Sequence, residues 1–83
     1  MAYSDIEKTV KEIIAKQLSM DPAKINVEAR LVEDLGLDSF GAVEVAFELE
    51  EKFDLKIPDA ALYDAKVVKD IVNYIAGQKG EKE

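Results

Sequence analysis

Residues 38–53 read DSFGAVEVAFELEEKF, and the fold can be worked out from this segment. Asp38 is a residue that commonly caps a helix, because its carboxylate accepts a hydrogen bond from a backbone amide of the first turn. The apolar residues that follow recur at helical spacing, while Glu44, Glu48 and Glu51 share a separate stripe. The segment therefore predicts a helix, the second in the chain, with an apolar face and an acidic face.

A first helix is predicted on the N-terminal side, over residues 5–18. Ser4 and Glu7 have the S-x-x-E spacing of a capping box, in which each side chain satisfies a backbone amide at the helix start. The apolar side chains after them recur at spacings of three and four residues, and charged side chains lie between them. One face of this helix should therefore lie in the core.

Two more helices are predicted on the C-terminal side. Ile57 precedes a proline and favours extended backbone, and Asp59 can then cap a short third helix of one or two turns. A stripe of valines and isoleucines predicts a fourth helix over residues 66–76, ending where Gly77 interrupts the pattern. The chain therefore has four predicted helices, and it shows no internal repeat or linker.

A long connection, residues 19–37, separates the first two helices. Its apolar residues follow neither helical nor strand spacing for long, which predicts a loop pinned to the core. The loop exceeds the usual length, and long loops with apolar anchors of their own are often functional. The predicted anchors are Ile25, Val27, Leu31, Val32, Leu35 and Leu37.

Composition indicates a single domain, residues 1–83, with residues 78–83 expected to be a frayed tail. The chain has no cysteine and no histidine, which excludes disulfides, a thiolate nucleophile, a Cys/His zinc site and a Ser-His triad. No apolar run approaches the roughly 20 residues of a membrane helix, and the N-terminus lacks the features of a signal peptide. We therefore expect a cytoplasmic protein without catalytic machinery of its own.

The net charge of −7 arises entirely in the middle of the chain. Residues 31–60 contain nine acids and only two bases, whereas acids and bases balance on either side. Such a surplus argues against nucleic acid as a partner, because nucleic-acid binding needs a basic patch. Two interpretations remain open at this point: a solvated helix face, or a docking surface for basic partners.

Two familiar motifs fit the middle segment poorly. The stretch from Asp34 to Val45 has the length of a calcium-binding loop, but Gly36 and Val45 stand where that loop requires acidic ligands. Ser39 lacks the preceding glycine of a hydrolase nucleophile turn, and no histidine is present to act as its base. Neither a metal site nor a serine hydrolase is therefore expected.

Ser39 remains the residue best placed to carry chemistry. A serine directly after an N-cap lies in the first helical turn, where free amides and the positive end of the helix dipole favour an attached anion. Such a serine is well suited to carry a phosphate ester. The alternative is that Ser39 is simply a favourable residue at a helix start.

Several segments resemble the acyl carrier proteins, and together they span nearly the whole chain. They are residues 33–39 (EDLGLDS), the acids of the second helix, residues 53–59 (FDLKIPD) and residues 73–75 (NYI). The resemblance implies an all-α, up-and-down four-helix bundle with a long loop between helices one and two and a short helix three. It also implies a 4′-phosphopantetheine arm attached to Ser39, on which acyl intermediates are held as thioesters for fatty-acid or related biosynthetic enzymes.

The resemblance implies partners as well. A phosphopantetheinyl transferase would attach the arm, with Asp38 both capping the helix and contributing to recognition by the transferase. Acyl-transferring and acyl-processing enzymes would dock through basic patches, and the chain would act as a monomeric carrier rather than an enzyme. The implied partner surface consists of Phe40, Val43, Glu44, Phe47, Glu50, Glu51 and Asp59. Apolar faces around Ala46, Phe47, Leu62 and Ile75 would shelter an acyl chain.

Four positions depart from the usual family pattern. Phe40 stands where leucine is common, Gly41 where an acid is common, Glu48 where a small residue is frequent, and Val67 where serine or threonine often caps the last helix. Gly41 is expected to allow close approach of a partner, and Val67 predicts a looser helix start. The segment around Ser39 also resembles D-alanyl carrier proteins, so an aminoacyl cargo is one alternative. An unmodified acidic protein-interaction module is the other.

Overall fold

The computed structural model describes residues 2–81, which form four α-helices and one short 3-10 turn. The helices are α1 (Tyr3–Leu18), α2 (Ser39–Phe53), α3 (Asp59–Asp64) and α4 (Val68–Lys79), and the 3-10 turn is Pro22–Lys24. Within residues 2–81 there is no β-strand, only an isolated bridge between Arg30 and Val67. The predicted all-α four-helix bundle, with its long loop before α2 and its short α3, is confirmed.

The core is built by three helices and the long loop. Each of α1, α2 and α4 contributes its apolar stripe, as the helical spacing predicted. The short helix α3 contributes no fully buried side chain among those described. The largest buried side chains are Ile6, Val10, Ile13 and Ile14 from α1, Val45, Leu49 and Phe53 from α2, Val68, Ile71, Val72 and Ile75 from α4, and Ile25, Leu31 and Leu37 from the loop.

The first helix begins two residues earlier than predicted. Its N-cap is Ala2, so Ser4 lies within the first turn and does not serve as the cap. The hydroxyl of Tyr3 donates a hydrogen bond to Oδ1 of Asn73 on α4, at 2.5 Å. This contact joins residues 70 positions apart, and it holds the first turn of α1 against α4. The predicted capping box at Ser4 is therefore wrong.

The fourth helix runs past Gly77 and ends at Lys79. Gly80 adopts the left-handed conformation, with φ of 74°, and its amide reaches the carbonyls of Ala76 and Gly77. The amide of Glu81 also donates to the carbonyl of Ala76, at 2.8 Å, which completes a Schellman-type end. Gly77 keeps a negative φ, so the predicted end at Gly77 is wrong. The expected frayed tail, residues 78–83, is wrong for residues 78–79, which belong to α4, and residues 82–83 lie outside the described residues.

The long loop is fastened to the start of α4 by backbone hydrogen bonds. Leu31 donates its amide to the carbonyl of Lys66 at 2.9 Å. In return Val68 and Lys69 donate theirs to the carbonyls of Ala29 and Val27, at 3.1 and 2.8 Å. Two amides at the start of α4, which have no partner within the helix, are thereby satisfied by the loop.

The start of α4 is well capped although Val67 has no polar side chain. Oδ2 of Asp70 accepts the amides of Lys66 and Val67, at 2.8 and 3.1 Å. This is the half of a capping box in which an acid of the first turn reaches back to the N-cap. The looser helix start predicted from Val67 is therefore wrong.

A tight turn in the loop is held by Arg30 and Asp34. The guanidinium donates to both carboxylate oxygens, at 3.0 and 3.2 Å, and the Arg30 amide donates to Oδ2 at 2.9 Å. The side-chain hydrogen bond, followed by the backbone one, lowers the pKa of Asp34 below its ordinary value. The ion pair therefore stabilises the folded state above the ordinary pKa of an aspartate. This stabilisation is lost as the pH falls through the lowered pKa of Asp34. Val32 lies in this turn and is 66% exposed, so the prediction that it anchors the loop in the core is wrong.

We predict that Asp70→Ala lowers the free energy of unfolding by about 1 kcal/mol, because two backbone amides at the start of α4 lose their acceptor. Denaturant unfolding would measure the change. Asp70→Asn is the matched control: it keeps an oxygen acceptor at the same place and should retain most of the stability. Equal stability of Asp70→Ala and the wild type would show that the cap contributes nothing.

Candidate functional site

Ser39 is an exposed residue held between two buried ones. It is the first residue of α2, and the residues two positions away on either side, Leu37 and Gly41, are both buried. The amide of Leu37 donates to the carbonyl of Leu31 at 2.9 Å, which ties the end of the loop to its middle. Gly36, just before, has φ of 72° and open space where a side chain would lie. The serine hydroxyl is therefore presented to solvent from a fixed backbone.

Asp38 caps α2 as predicted. Its Oδ1 accepts the amide of Gly41 at 2.7 Å, while its own backbone is extended. No acid lies within the first turn of α2. The remaining amides of that turn and the positive end of the helix dipole therefore favour a phosphate on Ser39.

Gly41 packs within its own chain. A methyl group at this position would lie 3.1 Å from Cδ1 of Leu37, 3.2 Å from Oδ1 of Asp38 and 3.6 Å from Cγ of Gln17. Because Gly41 is buried, the expectation that it lies open to a partner is wrong. The glycine instead lets the cap carboxylate and the buried Leu37 pack under the start of α2.

An exposed apolar stripe follows Ser39 along α2. Phe40 is 66% exposed, Val43 40% and Phe47 63%. Spacings of three and four residues place these three side chains on one face of the helix. Large apolar side chains left this open are a common mark of an interaction surface.

The acids of α2 divide into two kinds. Glu44 and Glu51 are exposed. Glu48 forms an ion pair with Lys16 of α1, at 3.5 Å. Glu50 is half-buried and accepts the backbone amide of Ile57 at 2.7 Å.

Asp59, the remaining acid of the predicted partner surface, is the first residue of α3, and its side chain lies outside the described part of the structure.

The space between the helices differs from the predicted shelter for an acyl chain. A narrow apolar gap lies between α2, α3 and α4, with a volume of about 10 Å³, which is room for one water molecule at most. Of the four predicted residues only Leu62 lines it: Ala46 and Ile75 are buried in the core and Phe47 is largely exposed. The lining side chains are Leu49, Ile57, Ala61, Leu62, Ile71 and Tyr74.

Among the acidic side chains that the structure describes, no three lie close enough to one another to hold a metal ion. None of the described helices is long and apolar enough to cross a membrane.

Comparison with known proteins identifies the family to which this chain belongs. Residues 8–75 match the family model described as "Phosphopantetheine attachment site". The chain belongs to the acyl carrier protein family. A protein of Helicobacter hepaticus named "Acyl carrier protein" is 43% identical over 75 residues, covering 90% of this chain and 99% of the relative. Proteins of the same name from Bdellovibrio bacteriovorus and Campylobacter concisus are 44% and 42% identical, covering 84% and 80% of this chain and 90% and 86% of the relatives.

The prosthetic group of this family is 4′-phosphopantetheine, and the residues at the start of α2 fit it. Attachment through phosphate needs an accessible hydroxyl, and Ser39 is exposed. The phosphate is also favoured by nearby backbone donors, and the first turn of α2 offers those amides that the Asp38 carboxylate does not already occupy. Members of the family are carriers, which interact with biosynthetic enzymes and are modified by a phosphopantetheinyl transferase.

The tertiary partners of Glu48 and Glu50 do not follow from the sequence pattern. Glu48 and Glu50 look like Glu44 and Glu51 in the sequence, yet one pairs with α1 and the other with the backbone before α3. One signal was available for Glu50. The amide of Ile57 precedes a proline and lies outside any helix, so it requires an acceptor.

We predict that Gly41→Ala lowers the free energy of unfolding by about 1 kcal/mol, although alanine is the better helix former. The added methyl group would push against the buried Leu37 and the cap carboxylate of Asp38. Gly77→Ala is the matched control, because Gly77 is exposed and, apart from its chain neighbours and its own helix backbone, no atom lies within 4 Å of the added group. That variant should gain about 0.5 to 1 kcal/mol. A gain of the same size in both variants, measured by thermal or denaturant unfolding, would contradict the packing role of Gly41.

Proposed function

We propose that this protein holds acyl groups as thioesters on a 4′-phosphopantetheine arm joined to Ser39, and delivers them to fatty-acid or related biosynthetic enzymes. The observation that carries the proposal is the exposed Ser39 at the capped start of α2, inside the segment that matches the attachment family. The protein acts as a substrate and cofactor of its partners, as a monomer in the cytoplasm, and catalyses no reaction itself.

Ser39 and the residues around it have different roles in holding the arm. Ser39 supplies the ester oxygen, and the first-turn amides stabilise the negative phosphate beside it. Oδ1 of Asp38 keeps these amides in place through Gly41, so recognition by the transferase would use the other carboxylate oxygen. When bound, the arm supplies a terminal thiol that forms a thioester with the cargo. The chain has no cysteine, so no thiol of its own competes for that cargo.

The partner surface combines an apolar stripe with acids beside it. Phe40, Val43 and Phe47 would enter apolar pockets of the partner, and Glu44 and Glu51 would face its basic patch. Exposed charges steer association and respond to salt, whereas buried apolar contacts hold the complex. The remaining residues proposed for this surface are Asp38, Glu50 and Asp59.

We predict that a phosphopantetheinyl transferase, with coenzyme A and magnesium, raises the intact mass by one phosphopantetheine. Ser39→Ala should show no increase, because it lacks the only hydroxyl at the start of α2. Ser4→Ala is the control, since Ser4 is also exposed at a helix start and should leave the mass increase unchanged.

An unchanged mass, or an equal increase in Ser39→Ala, would overturn the proposal. The cargo is read from the mass of the native thioester. A fatty acyl group agrees with the proposal, whereas D-alanine on the arm would assign the protein to aminoacyl transfer instead.

We predict that Glu44→Lys combined with Glu51→Lys raises the KM of the transferase roughly three- to tenfold with little change in kcat, because both acids are exposed beside the apolar stripe. The difference from the wild type should shrink as salt is added. Glu28→Lys combined with Glu33→Lys changes two exposed acids of the loop by the same total charge and serves as the control. An equal rise in KM for the control would show that net charge alone is responsible.

A further inference from the structure

Glu50 differs from the other acids of α2 in its partner. It lies near the end of α2, and its Oε2 accepts the backbone amide of Ile57 at 2.7 Å, seven residues further along the chain. Ile57 precedes Pro58, so its backbone is extended and its amide has no partner within a helix. A half-buried amide of this kind is costly to leave without an acceptor. The carboxylate of Glu50 therefore fixes the backbone that enters α3.

Ile57 also forms part of the wall of the apolar gap. The gap is lined on one side by Leu49 of α2 and Ile71 of α4, which are 0% and 6% exposed. On the other side it is lined by Ile57 and by Ala61 and Leu62 of α3, all half-buried. The first wall belongs to the core, so the second is the one that can move.

Among the described residues, α3 is the most lightly held of the four α-helices. It has six residues, no side-chain cap and no fully buried side chain among those described. Segments with few buried contacts open at the lowest free energy. At its far end, the carbonyl of Lys66 accepts the amide of Leu31 at 2.9 Å. At its near end, the Oε2 atom of Glu50 accepts the amide of Ile57, which is the one hydrogen bond there from a described side chain.

We propose that Glu50 is a positioning residue that holds α3 closed over the apolar gap and thereby sets how readily an apolar cargo enters. The gap of about 10 Å³ cannot admit an alkyl chain unless α3 and Ile57 move away. Any such movement strains or breaks the bond from Glu50 to the Ile57 amide. The cargo part of this inference rests on the proposed carrier function, whereas the closure of α3 does not.

The two roles that Glu50 could have require different chemistry. Closure of α3 needs a hydrogen-bond acceptor, which Glu50→Gln retains and Glu50→Ala removes. Docking on a basic partner needs a negative charge, which both variants remove. Glu51 is the matched neighbour, because it is exposed and one residue away. Comparison of the glutamine and alanine variants at both positions therefore separates the two roles.

The first experiment measures amide hydrogen exchange on the full, unmodified chain. In Glu50→Ala, the Ile57 amide should exchange roughly tenfold faster than in the wild type, and the amides of Ala61 and Leu62 should follow. Glu50→Gln should stay within about twofold of the wild type, as should Glu51→Ala. The amides of Leu49 and Ile71 report on global stability, so an equal acceleration there would show general loosening and overturn the proposal.

The second experiment uses chains loaded with octanoyl or acetyl phosphopantetheine on Ser39. The methyl resonances of Leu62 and Ile71 report on the gap, and the acetyl form controls for the arm itself. Glu50→Ala should increase the octanoyl-minus-acetyl shift of these methyl groups, whereas Glu50→Gln should match the wild type. Equal shifts in all three chains would overturn the proposal.

The experiments distinguish the carrier function of Ser39 from the closure of α3 by Glu50. Failure of Ser39 to accept the arm would overturn the carrier function, and the exchange rate of Ile57 would still decide whether Glu50 holds α3. Exchange that is unchanged in Glu50→Ala would overturn the closure by Glu50 while leaving the attachment at Ser39 intact. If Glu50→Gln and Glu50→Ala depart equally from the wild type in both experiments, the effect belongs to the charge and the proposal is rejected.

Discussion

The hydrogen bond from the Gly41 amide to Oδ1 of Asp38 fixes where α2 begins, and most of the site follows from that point. A helix that begins at Ser39 presents this residue at its exposed end, where the backbone amides point toward an attached anion. The same starting point sets the rotation of every later side chain, since each residue turns the helix by a fixed angle. Phe40, Val43 and Phe47 therefore share a face that begins beside Ser39.

The parts of the fold that could be predicted from the sequence depend on local signals. The cap of α2 and the apolar stripes of three helices need only residues a few positions apart. The start of α1 could not be predicted, because Tyr3 is held by Asn73, which is distant in the sequence. The end of α4 required a choice between Gly77 and Gly80. Only the left-handed conformation of Gly80, completed by the amide of Glu81, decides between them.

The acids that make up the negative surplus differ in the partners they have in the folded structure. All of the −7 arises within residues 31–60. Two acids of that segment, Asp34 and Glu48, pair with bases from outside it, Arg30 and Lys16. A third, Glu50, is directed to a backbone amide. The exposed acids of α2 are therefore Glu44 and Glu51, which pattern alone could not separate from their neighbours.

A small chain has a physical reason to keep its cargo space closed when empty. A permanent cavity for an alkyl chain, of roughly 150 Å³, would cost about 3 to 4 kcal/mol at 24 cal/mol per Å³. That is a large part of the roughly 5 to 15 kcal/mol that stabilises a typical domain. A gap of about 10 Å³ avoids this cost. The rigid side of the molecule, where the loop is bonded to α4, can then hold Ser39 and the core, while the lightly held α3 alone gives way to cargo.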